Sequence, residues 1–203
     1  MHECRNCEQY GLRFQRAYGP EEFIEGHRES KVWIIGLNPA VDPKWVDLRT
    51  TRQLQEYFDD HSTVHSYFFD FRTVSARVFS AFGKSGGTAH TDLVKCSSKG
   101  WPPPGTTGRD RKQIIKNCEA YLISQLREFK PAMIICNGAE VSTAVKTMLP
   151  PPSDTPLTAT SYFSDIEAHR VCIVLSGFVG RLDNYAKRRL GREIEAQLDE
   201  ISL

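Results

Sequence analysis

The chain has 203 residues, 40% of them apolar and 25% charged, which suits one domain with a full core better than two small ones. Its formal net charge of +1 argues neither for nor against nucleic acid, so any basic surface must be local. No apolar run is long enough to span a membrane and the opening MHECRNCEQY is too polar for a secretory signal, so a cytoplasmic protein is expected.

Cys4 and Cys7 open the chain as a C-x-x-C. KVWIIG (31–36) is β-rich and apolar on both faces, as suits a strand covered on two sides. GLNPA (36–40) follows at once and carries Asn38 to that strand's carboxyl end, where Pro39 narrows its conformations; Asn-Pro is also a common turn starter. SYFFDF (66–71) supplies Tyr67, Phe68 and Phe69, a run that suits core packing at two of the three positions at least. FGKSGG (82–87) resembles a phosphate loop, but Val78 stands where the required first glycine belongs. HTDLVKC (90–96) reads as a short buried strand with Asp92 near its beginning and Cys96 at its end.

SSKGWPPPGTTGRD (97–110) is too rich in Pro and Gly for regular structure. Ile114, Ile115, Cys118, Tyr121, Leu122, Leu126 and Phe129 then recur at helical spacing, and Pro131 closes that helix. AMIIC (132–136) and VCIVL (171–175) are two further strands, separated by a helix from about Ala139 to Met148 and a surface connection, PPPSDTPLTATS (150–161). A last helix runs from Asp183 nearly to the end. Strands alternating with helices predict parallel βαβ units in a three-layer α/β/α sandwich, a single domain over 1–203 around a four-stranded parallel sheet. Ligands in such folds bind beyond the carboxyl ends of the strands.

Six cysteines in a cytoplasmic chain are thiols or metal ligands rather than disulfides. Cys136 and Cys172 sit inside apolar runs and read as small buried hydrophobes. Cys4, Cys7, Cys96 and Cys118 suit a four-thiolate site, for zinc or for an iron–sulphur cluster, and spacing does not choose between them. Such a site would pin the N-terminus and the irregular loop, holding Lys99, Arg109, Arg111 and Lys112 in place.

Together these pieces resemble the uracil-DNA glycosylase superfamily, above all its branches with a four-cysteine iron–sulphur cluster. The resemblance rests on the C-x-x-C, on GLNPA as first active-site motif, on DLVKC where those branches have an asparagine, two apolar residues and Lys-Cys, and on Cys118 in the helix leading to REFKPAMIICNGAE. It implies a 4Fe–4S cluster on Cys4, Cys7, Cys96 and Cys118, with zinc as the alternative, and monofunctional cleavage of an N-glycosidic bond in single- or double-stranded DNA. Asn38 would hold the attacking water, and one of Tyr67, Phe68 or Phe69 would stack on the extruded base. A monomer is expected, with DNA as its partner and neither a membrane nor an obligate protein partner.

Two departures bear on the substrate. Asp92 stands where the family has an asparagine, and an ionised carboxylate only accepts hydrogen bonds, so it would face uracil O4 unpaired, at a cost on the order of 1–3 kcal/mol. Cytosine presents an amino donor and an N3 acceptor, which a protonated carboxyl complements, and burial favours that state. The same acid could assist departure of the base. The second departure is VLSGFVGR (174–181), where the family has His-Pro-Ser: Ser176 is the nearest counterpart of the histidine, and His90 and His169 are possible substitutes. Phe178 and Val179, between Gly177 and Gly180, form an apolar wedge, and Arg181, Lys187, Arg188 and Arg189 could hold phosphates. The expected activity is therefore excision of a modified cytosine, as in anti-phage defence, ahead of uracil excision in repair; a non-catalytic iron–sulphur DNA-binding module is the alternative.

Overall fold

The protein is described from a computed structural model, which covers residues 2–16, 18–39 and 66–201. An antiparallel hairpin, β1 (His2–Cys4) with β2 (Phe14–Arg16), precedes the main sheet. That sheet has the order β4-β3-β5-β7-β6. Its strands are β3 (Val32–Gly36), β4 (Thr88–Asp92), β5 (Met133–Asn137), β6 (Ser161–Ile166) and β7 (His169–Ser176). β3, β4, β5 and β7 run parallel and are the four strands expected, whereas β6 is an additional, antiparallel edge strand. The sheet is thus five-stranded and mostly parallel.

Strict alternation along β3 and β5 sorts their apolar side chains to opposite faces. Val32, Ile34, Met133 and Ile135 meet α1 (Ser66–Val74), α2 (Ala76–Ser80) and α5 (Asn184–Glu200). Trp33, Ile35, Ile134 and Cys136 meet α3 (Gly108–Phe129) and α4 (Ala139–Met148). Helices on both faces explain why these strands are apolar throughout. Gly191 lets α5 lie against α1, since a Cβ there would collide with the Val74 carbonyl.

The long helix begins at a capping box, in which the Thr107 hydroxyl accepts from Asp110 N–H and the Asp110 carboxylate accepts from Thr107 N–H at 2.7 Å. It ends at Lys130 in the left-handed region, just before Pro131. Asp183 caps α5 by accepting from Ala186 N–H.

β4 differs from expectation: it spans Thr88–Asp92, so Asp92 closes the strand rather than opening it, and Cys96 lies in the turn beyond. Leu93 and Val94 are fully buried and still bond to Gly36 O and Leu37 O, so their apolar character reads like strand although the backbone has turned.

Candidate functional site

The carboxyl ends of the parallel strands converge on one edge, with Gly36 in register with Asp92 and Asn137 with Ser176. Asn38 sits two residues beyond β3; Ala40, the last residue of GLNPA, lies outside the described residues. The Ser98 hydroxyl donates its one proton to Gly100 O at 2.8 Å, so its oxygen must accept from Asn38 Nδ2 at 2.7 Å. The Asn38 amide is therefore turned with Oδ1 away from Ser98, as an acceptor able to hold a water. Ser98 is a supporting residue that sequence reasoning did not identify.

Asp92 is buried and on the same face of β4 as His90. Burial pushes the Asp92 carboxyl up to about 6, His90 opposes that, Glu25 adds to it and Lys95 opposes it. His90 Nε2 is 3.8 Å from Asp92 Oδ1 and 3.1 Å from the Tyr67 hydroxyl, while Nδ1 meets Glu25 Oε2 at 2.5 Å. For His90, burial disfavours the cation, but Asp92 and Glu25 outweigh it, so its proton affinity is raised. Gly36 makes this crowding possible: a Cβ there would overlap Asp92 Oδ1 and stand 2.7 Å from His90 Nε2 and 3.0 Å from the Tyr67 hydroxyl.

One ligand atom from each of Glu25, His90 and Asp92 lies within 4.8 Å of the others, a spacing that could hold a metal ion. The two carboxylates face different ring nitrogens, however, and an imidazole gives an ion only one of them. The arrangement suits a proton path better than a metal centre.

Of the aromatic run, Phe68 is buried in the core and Phe69 packs against Phe79, so both serve the fold. Tyr67 borders the site, its ring 6.1 Å from that of Phe178 and its oxygen accepting from Asn137 Nδ2 at 2.7 Å. Burial and then the Asp92 charge hold the Tyr67 phenol well above its ordinary range. Asn137 Oδ1 in turn accepts from Val179 N–H at 2.7 Å. Asn137 is a polar residue ending an apolar strand, a signal that could have marked it.

The expected wedge needs correction. Phe178 is 42% exposed, but Val179 is fully buried against the core and has no side chain to offer DNA. The Ser176 hydroxyl donates to Gly177 O, within its own turn. His169 stands at the start of β7, the opposite end from the site, with Nε2 bonded to Pro131 O, so it cannot replace the missing histidine. Lys187 is 9% exposed and pairs with Asp70 at 2.7 Å, which removes it from the phosphate-binding set; Arg181, Arg188 and Arg189 remain exposed.

The four expected cysteines belong to one cluster, formed by β1 and the turn after it, the turn beyond β4, and α3. Cys7, Cys96 and Cys118 are buried, Cys4 partly so. Tyr121 donates its hydroxyl to Cys4 Sγ and Asn117 its amide to Cys7 Sγ, both at 3.4 Å. Donors aimed at these two sulphurs suit thiolates at Cys4 and Cys7, the state in which cysteines bind a metal group. A hydrogen bond from Cys118, and then one from Asn117, lowers the Cys7 thiol to about 7, against the opposing effect of burial, while burial pushes Cys96 up to about 12. Beside them, Lys95 is fully buried and donates to Thr91 Oγ1, Asp92 O and Gln125 Oε1 at 2.6–2.9 Å. Cys136 and Cys172 lie apart in the apolar layers, as expected. The irregular loop packs Trp101 against this cluster, as expected, and is tied further by Trp101 Nε1 and Arg111, which both donate to the Glu140 carboxylate.

No protein-family model and no curated protein matches the chain. Among the described residues, no helix is long and apolar enough to cross a membrane.

Proposed function

We propose that the protein is a DNA glycosylase that extrudes a base and hydrolyses its N-glycosidic bond, with a modified cytosine as the preferred substrate over uracil. One observation carries this reading: an oriented amide acceptor, Asn38 Oδ1, and a buried carboxyl whose proton affinity is raised, Asp92, stand at the carboxyl ends of adjacent parallel strands. The amide holds water for attack on an oxocarbenium-like sugar, and the carboxyl pairs with cytosine N3 and its amino group. Tyr67 borders the base, Phe178 enters the gap left in the stack, and the exposed arginines hold phosphates. Cys4, Cys7, Cys96 and Cys118 would hold a 4Fe–4S cluster, or zinc, which ties β1 to the turn behind Asp92.

The test is strand scission at abasic sites on matched oligonucleotides containing uracil, cytosine, 5-hydroxymethylcytosine or its glucosylated form. Cleavage at a cytosine-type base that Asn38→Ala abolishes is the expected result. DNA binding without an abasic product from any base would assign the protein to a non-catalytic binding role instead.

A further inference from the structure

Glu25, His90 and Asn137 have no task in the reading above, yet they form a continuous directed chain. Val179 N–H can only donate, so Asn137 Oδ1 accepts it and Asn137 Nδ2 must face the Tyr67 oxygen. Tyr67 in turn meets His90 Nε2, and Glu25 holds His90 Nδ1. A carboxylate at Nδ1 keeps a proton on that nitrogen, so only Nε2 is left to gain or lose one.

The groups around His90 are Glu25, which precedes β3, Tyr67 on α1, Asp92 at the end of β4 and Lys95 in the turn beyond. Two charge distributions are possible with a single proton on the Nε2 side. One is Glu25 and Asp92 ionised around an imidazolium; the other is Glu25 ionised with neutral His90 and neutral Asp92. Both carry the same net charge, so exchanging them imports no charge into a buried site. Lys95 favours an ionised Asp92 while the site is empty. A base that excludes water and offers a ring-nitrogen acceptor favours the protonated form.

We propose that His90 Nε2 and Asp92 share one proton, which His90 carries in the empty site and passes to Asp92 when a cytosine-type base arrives. The proposal rests on Asp92 being the group that faces the base. In the transfer Asp92 closes the 3.8 Å gap to His90 Nε2 to hydrogen-bond length, the Nε2–H bond breaks and an Asp92 O–H bond forms, leaving His90 neutral with its Nδ1–H still donated to Glu25. When the glycosidic bond breaks, its electron pair leaves with the base, which takes the Asp92 proton at N3; His90 is then reprotonated from solvent. His90 is thus a positioning residue for the proton, acting through Asp92.

The test is the pH dependence of binding to oligonucleotides carrying 2′-fluoroarabino-5-hydroxymethylcytidine, whose glycosidic bond resists hydrolysis, each against the same strand with thymidine. Affinity is lost about tenfold per pH unit once the shared proton has gone from the free protein. With wild type this loss begins only when His90 deprotonates; with His90→Gln, where Asp92 must draw its proton from solvent, it begins at lower pH. Glu25→Gln keeps an acceptor at Nδ1 without the charge, and its onset falls between the two. The same onset in wild type and both variants would overturn the shared proton while leaving Asp92 facing the base. Equal binding of the cytidine analogue and thymidine at every pH would overturn the cytosine preference on which the proposal rests, and the shared proton with it.

Discussion

Asn137→Ala is a demanding test of how the site is braced. The side chain is 2% exposed and joins the Tyr67 hydroxyl to the Val179 backbone, each at 2.7 Å. Truncation leaves the buried Val179 N–H without its acceptor and takes a donor from Tyr67, and each such loss costs about 1–3 kcal/mol. The sum, allowing for partial relaxation, is about 2–4 kcal/mol, which in a chain of this size lowers the midpoint of thermal unfolding by roughly 5–15 °C. Urea denaturation followed by circular dichroism measures it. A loss below about 1 kcal/mol would refute the argument, because a buried N–H left without a partner cannot be that cheap.

Other expectations follow from the same geometry. Gly36→Ala forces a methyl group against Asp92, His90 and Tyr67, so it destabilises by about 1–3 kcal/mol and abolishes cleavage even where the protein still folds, which thermal melts and the abasic-site assay read together. Phe178→Ala and Val179→Ala separate the wedge from the core: the first weakens DNA binding with little change in stability, the second lowers stability by a few kcal/mol because Val179 is fully buried. If instead both variants lost binding and neither lost stability, the paired-wedge reading would return. Cleavage at a cytosine-type base falls as the pH rises far enough for the proton shared by His90 and Asp92 to leave the free protein, a point shifted upward because the proton affinity of both groups is raised in the folded state. In Asp92→Asn the pH–rate profile lacks that limb; its persistence would assign the titration to another group.

Much of the fold was legible because strands covered on two faces are apolar throughout, as in VWIIG and MIICN, and because Pro131 and Asp183 mark helix ends chemically; the start of α3 was read too late, since Gly108, Arg109 and Asp110 belong to the helix and not to the irregular loop before it. β6 was not, because it is an edge strand whose buried residues are Tyr162, Ser164 and Ile166, an alternation too short and too polar to stand out after a Pro-rich stretch. The end of β4 was misplaced because Leu93 and Val94 are buried for packing, whatever the backbone does. In the site, Asn38 could be placed from where an apolar run ends, whereas Asp92 was singled out through the resemblance and put at the wrong end of its strand. Glu25 could not: it reaches His90 across 65 residues of chain, and no local pattern announces a carboxylate that pairs with an imidazole at that separation. Lys187 and Val179 were misjudged for a related reason, since charge and hydrophobicity along a helix or loop do not say which side faces Asp70 or the core.

The most direct measurement of the central claim compares wild type with Asp92→Asn in parallel cleavage assays on uracil and glucosylated 5-hydroxymethylcytosine. An amide at this position offers a fixed donor and acceptor, which pair with uracil N3–H and O4 whatever the pH. Loss of cytosine cleavage with a gain at uracil is the predicted result. Robust uracil cleavage by wild type that Asp92→Asn leaves unchanged would contradict the claim that Asp92 selects the base.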